Sequence, residues 1–171
     1  MIRFITGGAR SGKSRRAEQL AEDSGLEVVY IATAEARDAE MRARLASHRA
    51  RRPAHWHTIE EPRALVRAIR EQQGPGRCLL VDCLTLWITN QLLAGADIRA
   101  ERDALVAELA RARGEIILVS NETGMGVVPL GELSRRFVDE SGWLHQAVAA
   151  QADQVVLMVA GLPLVVKGDR V

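Results

Sequence analysis

The residue types that bind phosphate occur together in the segment GGARSGKS, residues 7–14. This segment fits the pattern G-x-x-x-x-G-K-[ST] through Gly7, Gly12, Lys13 and Ser14. Glycines let backbone N–H groups curl around phosphate oxygens, the lysine ammonium can reach the β and γ phosphates, and the serine hydroxyl can ligate Mg²⁺. A glycine-rich turn that matches by chance is the alternative. Because the segment follows a predicted strand and precedes a predicted helix, we predict that it binds a nucleotide.

A carboxylate partner for this phosphate loop is expected at the end of a neighbouring strand. The segment LLVDCLTLW places Asp82 after an apolar run, the usual place for a residue that organises the shell of a magnesium ion. An aspartate that only caps the following helix is the alternative. We therefore predict Mg²⁺ as the cofactor, held by Ser14 and Asp82 together with ATP or GTP. Lys13 and Asp82 are the catalytic residues that we predict for this part of the site.

Histidines and arginines are concentrated in the segment RLASHRARRPAHWHTIEEP, residues 44–62, which holds three of the four histidines, His48, His55 and His57. A zinc site is disfavoured here, because the arginines would repel a dication and no cysteine or aspartate lies among them. A nucleic-acid surface is also disfavoured, because the net charge of the chain is only +1 and aromatic residues make up only 4% of it.

A site for nucleotide or substrate phosphates is the interpretation of this segment that the chemistry favours. Nearby cations lower the pKa of an imidazole, which keeps it neutral and nucleophilic, and they stabilise charge that develops on a phosphoryl group. His48 also continues the spacing of Met41 and Leu45 along one helical face, so packing at the edge of the core is the alternative. The residues alone do not choose among the three histidines.

Strands and helices alternate along the chain, and they must position these groups. Runs rich in β-branched residues predict six strands, whose nearly continuous apolar character is typical of a parallel sheet covered on both faces. Helical patterns lie between the strands. The predicted strands are residues 2–6, 27–32, 78–82, 115–120, 154–159 and 163–167, and the predicted helices are residues 13–25, 38–48, 62–74, 99–114 and 141–153.

This alternation predicts an α/β fold with a mainly parallel sheet flanked by helices. Together with the phosphate loop, it indicates the P-loop NTPase (RecA-like) class. The last two strands are separated only by the residues AGL, too few for a parallel crossover, so we expect an antiparallel hairpin at the C-terminal edge of the sheet. The sequence has no linker, repeat or low-complexity tract. A single domain over residues 1–171 is therefore the expected organisation.

Composition excludes several classes of function. The apolar fraction is 47% and the charged fraction is 26%, which are ordinary values for a globular protein. No window approaches 18 uninterrupted apolar residues, so we predict no membrane span. The only cysteines, Cys78 and Cys83, flank an apolar run and are expected to be small core residues rather than a disulfide. A cytoplasmic location follows as an expectation.

Several segments together resemble one family. They are ITGGARSGKS, YIATA, HRARRPAHW, LVDCLTLWITN, VSNETGMGVVP and ADQVVLMVAGLPLVVK, which extend from the first predicted strand to the last. The chain looks like the bifunctional adenosylcobinamide kinase / adenosylcobinamide-phosphate guanylyltransferase family of cobalamin (vitamin B12) biosynthesis.

The resemblance implies two activities. The first is phosphorylation of adenosylcobinamide with a nucleoside triphosphate. The second is transfer of GMP from GTP to adenosylcobinamide phosphate, which gives adenosylcobinamide-GDP. The family pattern H-x-x-x-R-P matches His48, Arg52 and Pro53, so the resemblance assigns to His48 the histidine that carries GMP covalently, with His55 and His57 as secondary residues. It also implies a homotrimer, with adenosylcobinamide and nucleoside triphosphates as partners and without nucleic acid.

Family nucleotide contacts carry over to positions spread along the first half of the chain. The resemblance implies nucleotide binding by Gly7, Gly8, Ala9, Arg10, Ser11, Gly12, Lys13, Ser14, Thr33, Ala34, Glu35, Arg49, Ala50, Arg51, Arg52, Glu60 and Asp82.

His145 departs from the family pattern, in which many members have asparagine at this position. An exposed helix residue without a special role is the expectation, and an altered cobinamide contact is the alternative. Asp82 and Glu122 are both candidates for the base that takes the substrate hydroxyl proton. A small-molecule kinase without the guanylyltransferase step, or a RecA-like ATPase, is the alternative function that the phosphate loop alone would support.

Overall fold

The computed structural model of the chain describes residues 1–35, 39, 46, 49 and 52–169. The predicted helix over residues 38–48 lies almost entirely outside this part of the chain. In order, the elements are β1 (Ile2–Gly7), α1 (Lys13–Asp23), β2 (Glu27–Ala32), β3 (His57–Glu60), α2 (Leu65–Gln72), β4 (Arg77–Asp82), α3 (Leu84–Leu93), α4 (Ile98–Leu109), β5 (Glu115–Asn121), α5 (Glu132–Gln151), β6 (Gln154–Val159) and β7 (Leu162–Lys167).

Seven strands form one sheet in the order β3-β2-β4-β5-β1-β6-β7. The pairings from β3 to β6 are parallel, and β7 pairs antiparallel with β6 at the edge. The predicted α/β class, the mainly parallel sheet and the C-terminal hairpin are therefore confirmed.

Helices cover both faces of the sheet because the inner strands are apolar on both sides. In β4, Leu79 and Val81 belong to the core on one face, whereas Cys78 and Leu80 belong to the core on the other. The helices α2, α3, α4 and α5 pack on the first face, and α1 packs on the second. Both cysteines are buried and unbridged, as the sequence predicts.

Three differences from the predicted elements have physical explanations. The strand β3 was not predicted, because its sequence HTIE is short and polar and lies at an exposed sheet edge. The helix α3 was not predicted, because LTLWITNQLL is buried at most positions and lacks the polar face that marks an amphipathic helix. The helix α5 begins at Glu132 rather than at residue 141. Its first turns were not predicted, because they are largely exposed, with Phe137 packed against the core from a partly buried position.

The carboxyl ends of the parallel strands meet at one edge of the sheet. Gly7 pairs with Asn121 across β1 and β5, and Ala32 pairs with both Glu60 and Asp82 across β3, β2 and β4. Loops that follow these strands therefore open on the same side, which is where open parallel sheets bind ligands. Within the described residues, no helix is long and apolar enough to cross a membrane.

Lys167, one of the two lysines, lies at the opposite end of the chain from the phosphate loop and has a structural role. Its Nζ donates to the carbonyl oxygens of Ala149 and Ala150 at distances of 2.9 and 3.0 Å. These carbonyls belong to the last turn of α5, whose final C=O groups have no partner within the helix. The ammonium therefore caps the C-terminus of α5 and fastens β7 to it.

Replacing Leu118 with alanine is expected to lower the free energy of unfolding by about 2–5 kcal/mol, because the side chain is fully buried in β5 and its loss leaves a cavity. The matched control is Leu93→Ala in α3, where the leucine is 52% exposed and the expected loss is below about 1 kcal/mol. Urea unfolding followed by circular dichroism measures both. Equal losses in the two variants would contradict this description of the core.

Candidate functional site

The phosphate loop joins β1 to α1 and depends on glycine at two positions. Gly12, the N-cap of α1, has φ of 96°, a conformation that side chains other than glycine rarely adopt. A Cβ atom on Gly7 would lie 2.6 Å from both the carbonyl oxygen of Met158 and the Oγ of Ser11. The loop can therefore take its tight path under the first turn of α1 only with these glycines.

Lys13 lies across the mouth of this loop. Its Nζ donates to the carbonyl oxygen of Gly8 at 2.9 Å, and only 8% of the residue is exposed. Burial lowers the pKa of Lys13, and the negative charge of Asp82 opposes that change. The Oγ of Ser11 is buried without a hydrogen-bond partner in the described structure. A phosphate entering the loop would offer acceptors to both side chains, next to the positive end of the α1 dipole.

Asp82 ends β4 and is held by a tyrosine from the neighbouring strand. The hydroxyl of Tyr30, in β2, donates to Oδ2 of Asp82 at 2.9 Å. Burial raises the pKa of Tyr30 well above its ordinary value, and the carboxylate of Asp82 raises it further. Tyr30 therefore remains protonated and fixes one oxygen of Asp82, while the other oxygen can face a ligand.

Arg52 packs on the same tyrosine. Its guanidinium carbon lies 3.6 Å from the centre of the Tyr30 ring, and its Nε and Nη1 atoms are buried without a hydrogen-bond partner in the described structure. A cation held on an aromatic face is stabilised without losing its hydrogen-bond donors. Because buried donors without acceptors are costly, a nucleotide phosphate is a chemically suitable partner for Arg52.

Trp56 fixes the segment that follows Arg52. Its ring stacks near Tyr30 at a centroid separation of 6.4 Å, and its Nε1 donates to Oε2 of Glu22 in α1 at 2.9 Å. Residues 52–56 are therefore attached to α1 and β2 on the face of the sheet that α1 covers. His55, which lies within this segment, is exposed, with its Nε2 3.7 Å from Oε2 of Glu22.

Thr33 links the ends of β2 and β4 and is fully buried. Its Oγ1 donates to the carbonyl oxygen of Cys83 at 2.7 Å and accepts the N–H of Cys83 at 2.9 Å. Asn90 in α3 donates to the carbonyl oxygen of Thr33 at 2.8 Å. These bonds use both the side chain and the carbonyl of Thr33, so its role in this structure is to shape the edge rather than to present a group to a ligand.

Two acidic residues of the predicted site make ion pairs with arginines. Glu35, after β2, lies with its Oε1 3.6 Å from the Nε of Arg63. Glu60, at the end of β3, pairs with Arg49 from the histidine–arginine segment. Both pairs are at the carboxyl edge, and the second connects the residue directly after His48 to the sheet.

Ser14 and Asp82 have the donor types that Mg²⁺ prefers. A hydroxyl and a carboxylate, together with phosphate oxygens, match a cation that is usually held by one or two carboxylates plus substrate. Among the described residues, no three histidine, cysteine, aspartate or glutamate side chains are close enough to form an all-protein metal site. The side chains at this edge therefore fit a magnesium ion bound through the nucleotide.

A second polar cluster lies at the ends of β4 and β5, and the sequence did not predict that its members meet. Ser120 Oγ is 2.7 Å from Nε2 of His145 in α5 and 3.1 Å from Oγ1 of Thr85. Oε2 of Glu122 is 4.0 Å from Nδ1 of the same imidazole. Burial lowers the pKa of His145, and the charge of Glu122 opposes that change. The expectation of an exposed His145 was wrong, since its side chain is only 14% exposed.

The chain is similar to known proteins over almost its whole length. The family described as "Cobinamide kinase / cobinamide phosphate guanyltransferase" matches residues 3–166. A bifunctional adenosylcobalamin biosynthesis protein, CobP of Pseudomonas aeruginosa, is 64% identical over 168 residues, which is 97% of each chain. The bifunctional adenosylcobalamin biosynthesis protein CobU of Escherichia coli K12 is 41% identical and covers 98% of this chain and 100% of its own.

The chain belongs to the cobinamide kinase / cobinamide phosphate guanyltransferase family. The resemblance inferred from the sequence segments is therefore confirmed, and with it a role in cobalamin biosynthesis.

Solved structures of other proteins show the same fold at low sequence identity. The flagellar accessory protein FlaH from Methanocaldococcus jannaschii superposes with a TM-score of 0.61 at 14% identity, over 98% of this chain and 78% of its own. The RadB recombinase superposes with a TM-score of 0.54 at 16% identity, over 91% of this chain and 73% of its own. These neighbours confirm the predicted RecA-like P-loop NTPase class.

The structure brings together most residues that the family resemblance assigns to nucleotide binding. The phosphate loop over residues 7–14, Glu60 and Asp82 lie at the carboxyl edge, with Arg49 and Arg52 attached to it through Glu60 and Tyr30. Three predicted site residues, His48, Ala50 and Arg51, lie outside the described residues. Sequence reasoning missed Tyr30, Trp56 and Ser120, whose contacts cross between distant elements.

Lys13→Ala is expected to raise the dissociation constant for a non-hydrolysable GTP analogue about ten- to a hundredfold, because a charged donor to the phosphates is lost. The matched control is Lys167→Ala, which removes the other lysine of the chain at the far end of α5 and should leave the affinity unchanged. Isothermal titration calorimetry measures both. Wild-type affinity in the Lys13 variant would show that the loop does not hold the phosphates through this ammonium.

Proposed function

We propose that this chain catalyses both reactions of its family, phosphorylation of adenosylcobinamide with ATP or GTP and transfer of GMP from GTP to adenosylcobinamide phosphate. The observation that carries the proposal is a glycine loop with a buried lysine, facing Asp82 at the carboxyl edge of the sheet, in a chain 64% identical to a bifunctional relative. The names of CobP and CobU support both activities together rather than either one alone.

In the kinase step, the hydroxyl oxygen of adenosylcobinamide attacks the γ-phosphorus while the bond to the β–γ bridging oxygen breaks. The nucleoside diphosphate leaves, and the hydroxyl proton goes to a protein base. Residues 7–14 supply backbone N–H groups and the helix dipole, and Lys13 supplies a positive charge as the bridging oxygen becomes negative. Ser14 and Asp82 would hold Mg²⁺, which neutralises charge on the phosphate oxygens when it is bound.

In the guanylyltransfer step, we assign the nucleophile to His48. An imidazole nitrogen attacks the α-phosphorus of GTP, and pyrophosphate leaves with the electrons of the broken P–O bond. An oxygen of adenosylcobinamide phosphate then attacks the phosphorus of the histidine-bound GMP, which gives adenosylcobinamide-GDP and regenerates the imidazole. The described neighbours of His48 support this role, because Arg49 pairs with Glu60 and Arg52 packs on Tyr30 at the edge where the phosphate loop opens.

We assign the nucleotide contacts to the predicted residues, except that Thr33 has an indirect role. Arg52 is well suited to the phosphates, since two of its buried nitrogens have no acceptor in the described structure. Ala34 and Glu35 follow β2 at the same edge. Thr33 acts through the shape of this edge rather than by direct contact, because its polar groups are used by Cys83 and Asn90.

We also propose a homotrimer of single-domain, cytoplasmic chains, as the family resemblance implies. Several large apolar side chains are exposed after β5 and on β7. In β7, Leu162 and Leu164 alternate along the strand and so share one face, with 72% and 57% exposure. Val166, at a register shift in the pairing with β6, is 64% exposed. Contiguous apolar surface of this kind supports burial against another copy of the chain.

Incubation with GTP labelled at the α-phosphate is expected to label the protein through a bond that resists base and breaks in acid, as a phosphoramidate does. His48→Ala should abolish the label, because the attacking nitrogen is lost. The matched controls are His55→Ala and His57→Ala, which remove exposed imidazoles from the same stretch and should leave the label in place. Label that persists in the His48 variant would contradict the assignment of the nucleophile.

Light scattering coupled to size-exclusion chromatography is expected to give about three times the chain mass of 18.7 kDa. Leu164→Glu should shift the species toward the monomer, because a charge on the exposed face of β7 would be buried at an interface. Arg111→Glu, an exposed change of charge after α4, serves as the control and should leave the mass unchanged. A monomeric wild-type protein at all concentrations would contradict the assembly.

A further inference from the structure

We propose that Glu122 is the proton acceptor of the kinase step and that His145 is the positioning residue that holds its carboxylate. This inference rests on the proposed function, since it names the base for the same phosphoryl transfer. It starts from the cluster formed by Thr85, Ser120, Glu122 and His145 at the ends of β4 and β5.

Glu122 is attached directly to the phosphate loop through the backbone. Its N–H donates to the carbonyl oxygen of Gly7 at 2.9 Å, where β5 runs beside β1. Gly7 is the first residue of the glycine pattern, so the carboxylate of Glu122 extends from the rim of the loop that holds the phosphates. The side chain remains 21% exposed, which leaves it open to a substrate entering from solvent.

Asp82, the other candidate base, is already suited to three other interactions. One of its oxygens accepts the Tyr30 hydroxyl, its charge acts on Lys13, and it is the carboxylate suited to Mg²⁺. With one oxygen bonded to Tyr30 and the other suited to Mg²⁺, Asp82 has little room to accept a hydrogen bond from a substrate hydroxyl. Glu122 has one hydrogen bond from the N–H of Gly124 to Oε1 at 2.6 Å, and its Oε2 faces His145 rather than a cation.

The hydrogen bonds in the cluster favour one tautomer of His145. The backbone N–H of Asn121 donates to Oγ1 of Thr85 at 2.7 Å, so this hydroxyl can pass its own hydrogen to Ser120. The hydroxyl of Ser120 is then directed to Nε2 of His145 at 2.7 Å. That arrangement leaves the hydrogen of the neutral imidazole on Nδ1, which faces the carboxylate of Glu122. The opposite tautomer would point a lone pair at a negative charge.

The surroundings of the imidazole keep its orientation fixed. The ring of Phe4 in β1 lies 5.4 Å from the ring of His145, and Ser120 holds the other side. In the part of the chain that the structure describes, Glu122 is the one charged side chain that faces this ring within 4.0 Å. The separation of 4.0 Å is longer than a hydrogen bond, and such contacts shorten when substrate fills a kinase site.

The proposed proton path balances with the phosphoryl transfer. As the hydroxyl oxygen of the acceptor forms its bond to the γ-phosphorus, its O–H bond breaks and the proton passes to a carboxylate oxygen of Glu122. The N–H of His145 stabilises the carboxylate before transfer. Glu122 would release the proton to solvent after the nucleoside diphosphate leaves.

The test measures kinase turnover of the full-length protein with ATP and adenosylcobinamide, and separately its labelling by α-labelled GTP. Glu122→Gln is expected to lower kinase kcat about 100- to 10,000-fold while the protein still accepts the GMP label. Kinase kcat within about tenfold of wild type would overturn the proposal. Absence of both activities in the wild-type protein would instead overturn the proposed function itself.

A pair of substitutions separates a positioning role of His145 from simple packing. His145→Phe is expected to move the acidic limb of the kinase pH profile to higher pH, because the carboxylate loses the donor that stabilises its charged form. His145→Asn retains an N–H donor and should keep the limb near its wild-type position. A lower rate in the phenylalanine variant without any displacement of the limb would overturn the positioning role.

A measurement on the wild-type protein does not depend on any variant folding. Nitrogen-15 chemical shifts of the His145 ring at neutral pH are expected to show hydrogen on Nδ1 and a lone pair on Nε2. The opposite tautomer would overturn the arrangement from which the proposal starts.

Discussion

The in-register parallel pairing of β1, β2, β4 and β5 is the constraint on which the rest of the site depends. Because paired residues lie side by side, the last residues of these strands reach the same edge together. Gly7, Asp82 and Glu122 are separated by long stretches of sequence, yet they are brought together by this pairing. A shift of register by one residue in β4 would turn Asp82 toward the opposite face. Sheet register therefore determines which carboxylate faces the phosphate loop.

Tyr30 also helps to organise this edge of the sheet, because it contacts two residues of the proposed site. It connects Asp82, through a hydrogen bond, with Arg52, through a contact of the guanidinium with the ring face. Asp82 belongs to the proposed kinase step, whereas Arg52 follows the proposed nucleophile His48 by four positions. One buried side chain therefore links the parts of the chain assigned to the two reactions. A movement of Arg52 on nucleotide binding would reach Asp82 through a single residue.

Much of this organisation can be predicted from the sequence, for identifiable reasons. The phosphate loop and Asp82 are local patterns, each next to an apolar strand, so GGARSGKS and LLVDCLTLW are sufficient to predict them. The strand β3 and the helix α3 escape prediction, because HTIE is polar at a sheet edge and LTLWITNQLL is buried nearly all round. In both segments the tertiary environment, rather than a local period, determines the structure.

The cluster around His145 escapes prediction for a different reason. Its contact with Ser120 depends on how α5 packs against β5, and no local pattern records the direction of a side chain across two elements. The family pattern does not predict the cluster either. Many members have asparagine at position 145, and the simplest explanation of a histidine there is a neutral change at an exposed site. Burial of the imidazole shows that the position is constrained.

A neutral His145 is electrostatically suited to the place where it lies. A permanent cation beside a carboxylate favours the charged form of that carboxylate and makes it a weaker proton acceptor. Burial lowers the pKa of His145, so the imidazole can donate a hydrogen bond while carrying no net charge. Two carboxylates at one sheet edge can thus have different chemistry. Asp82 lies near Lys13 and accepts the hydroxyl of Tyr30, whereas Glu122 faces the imidazole of His145.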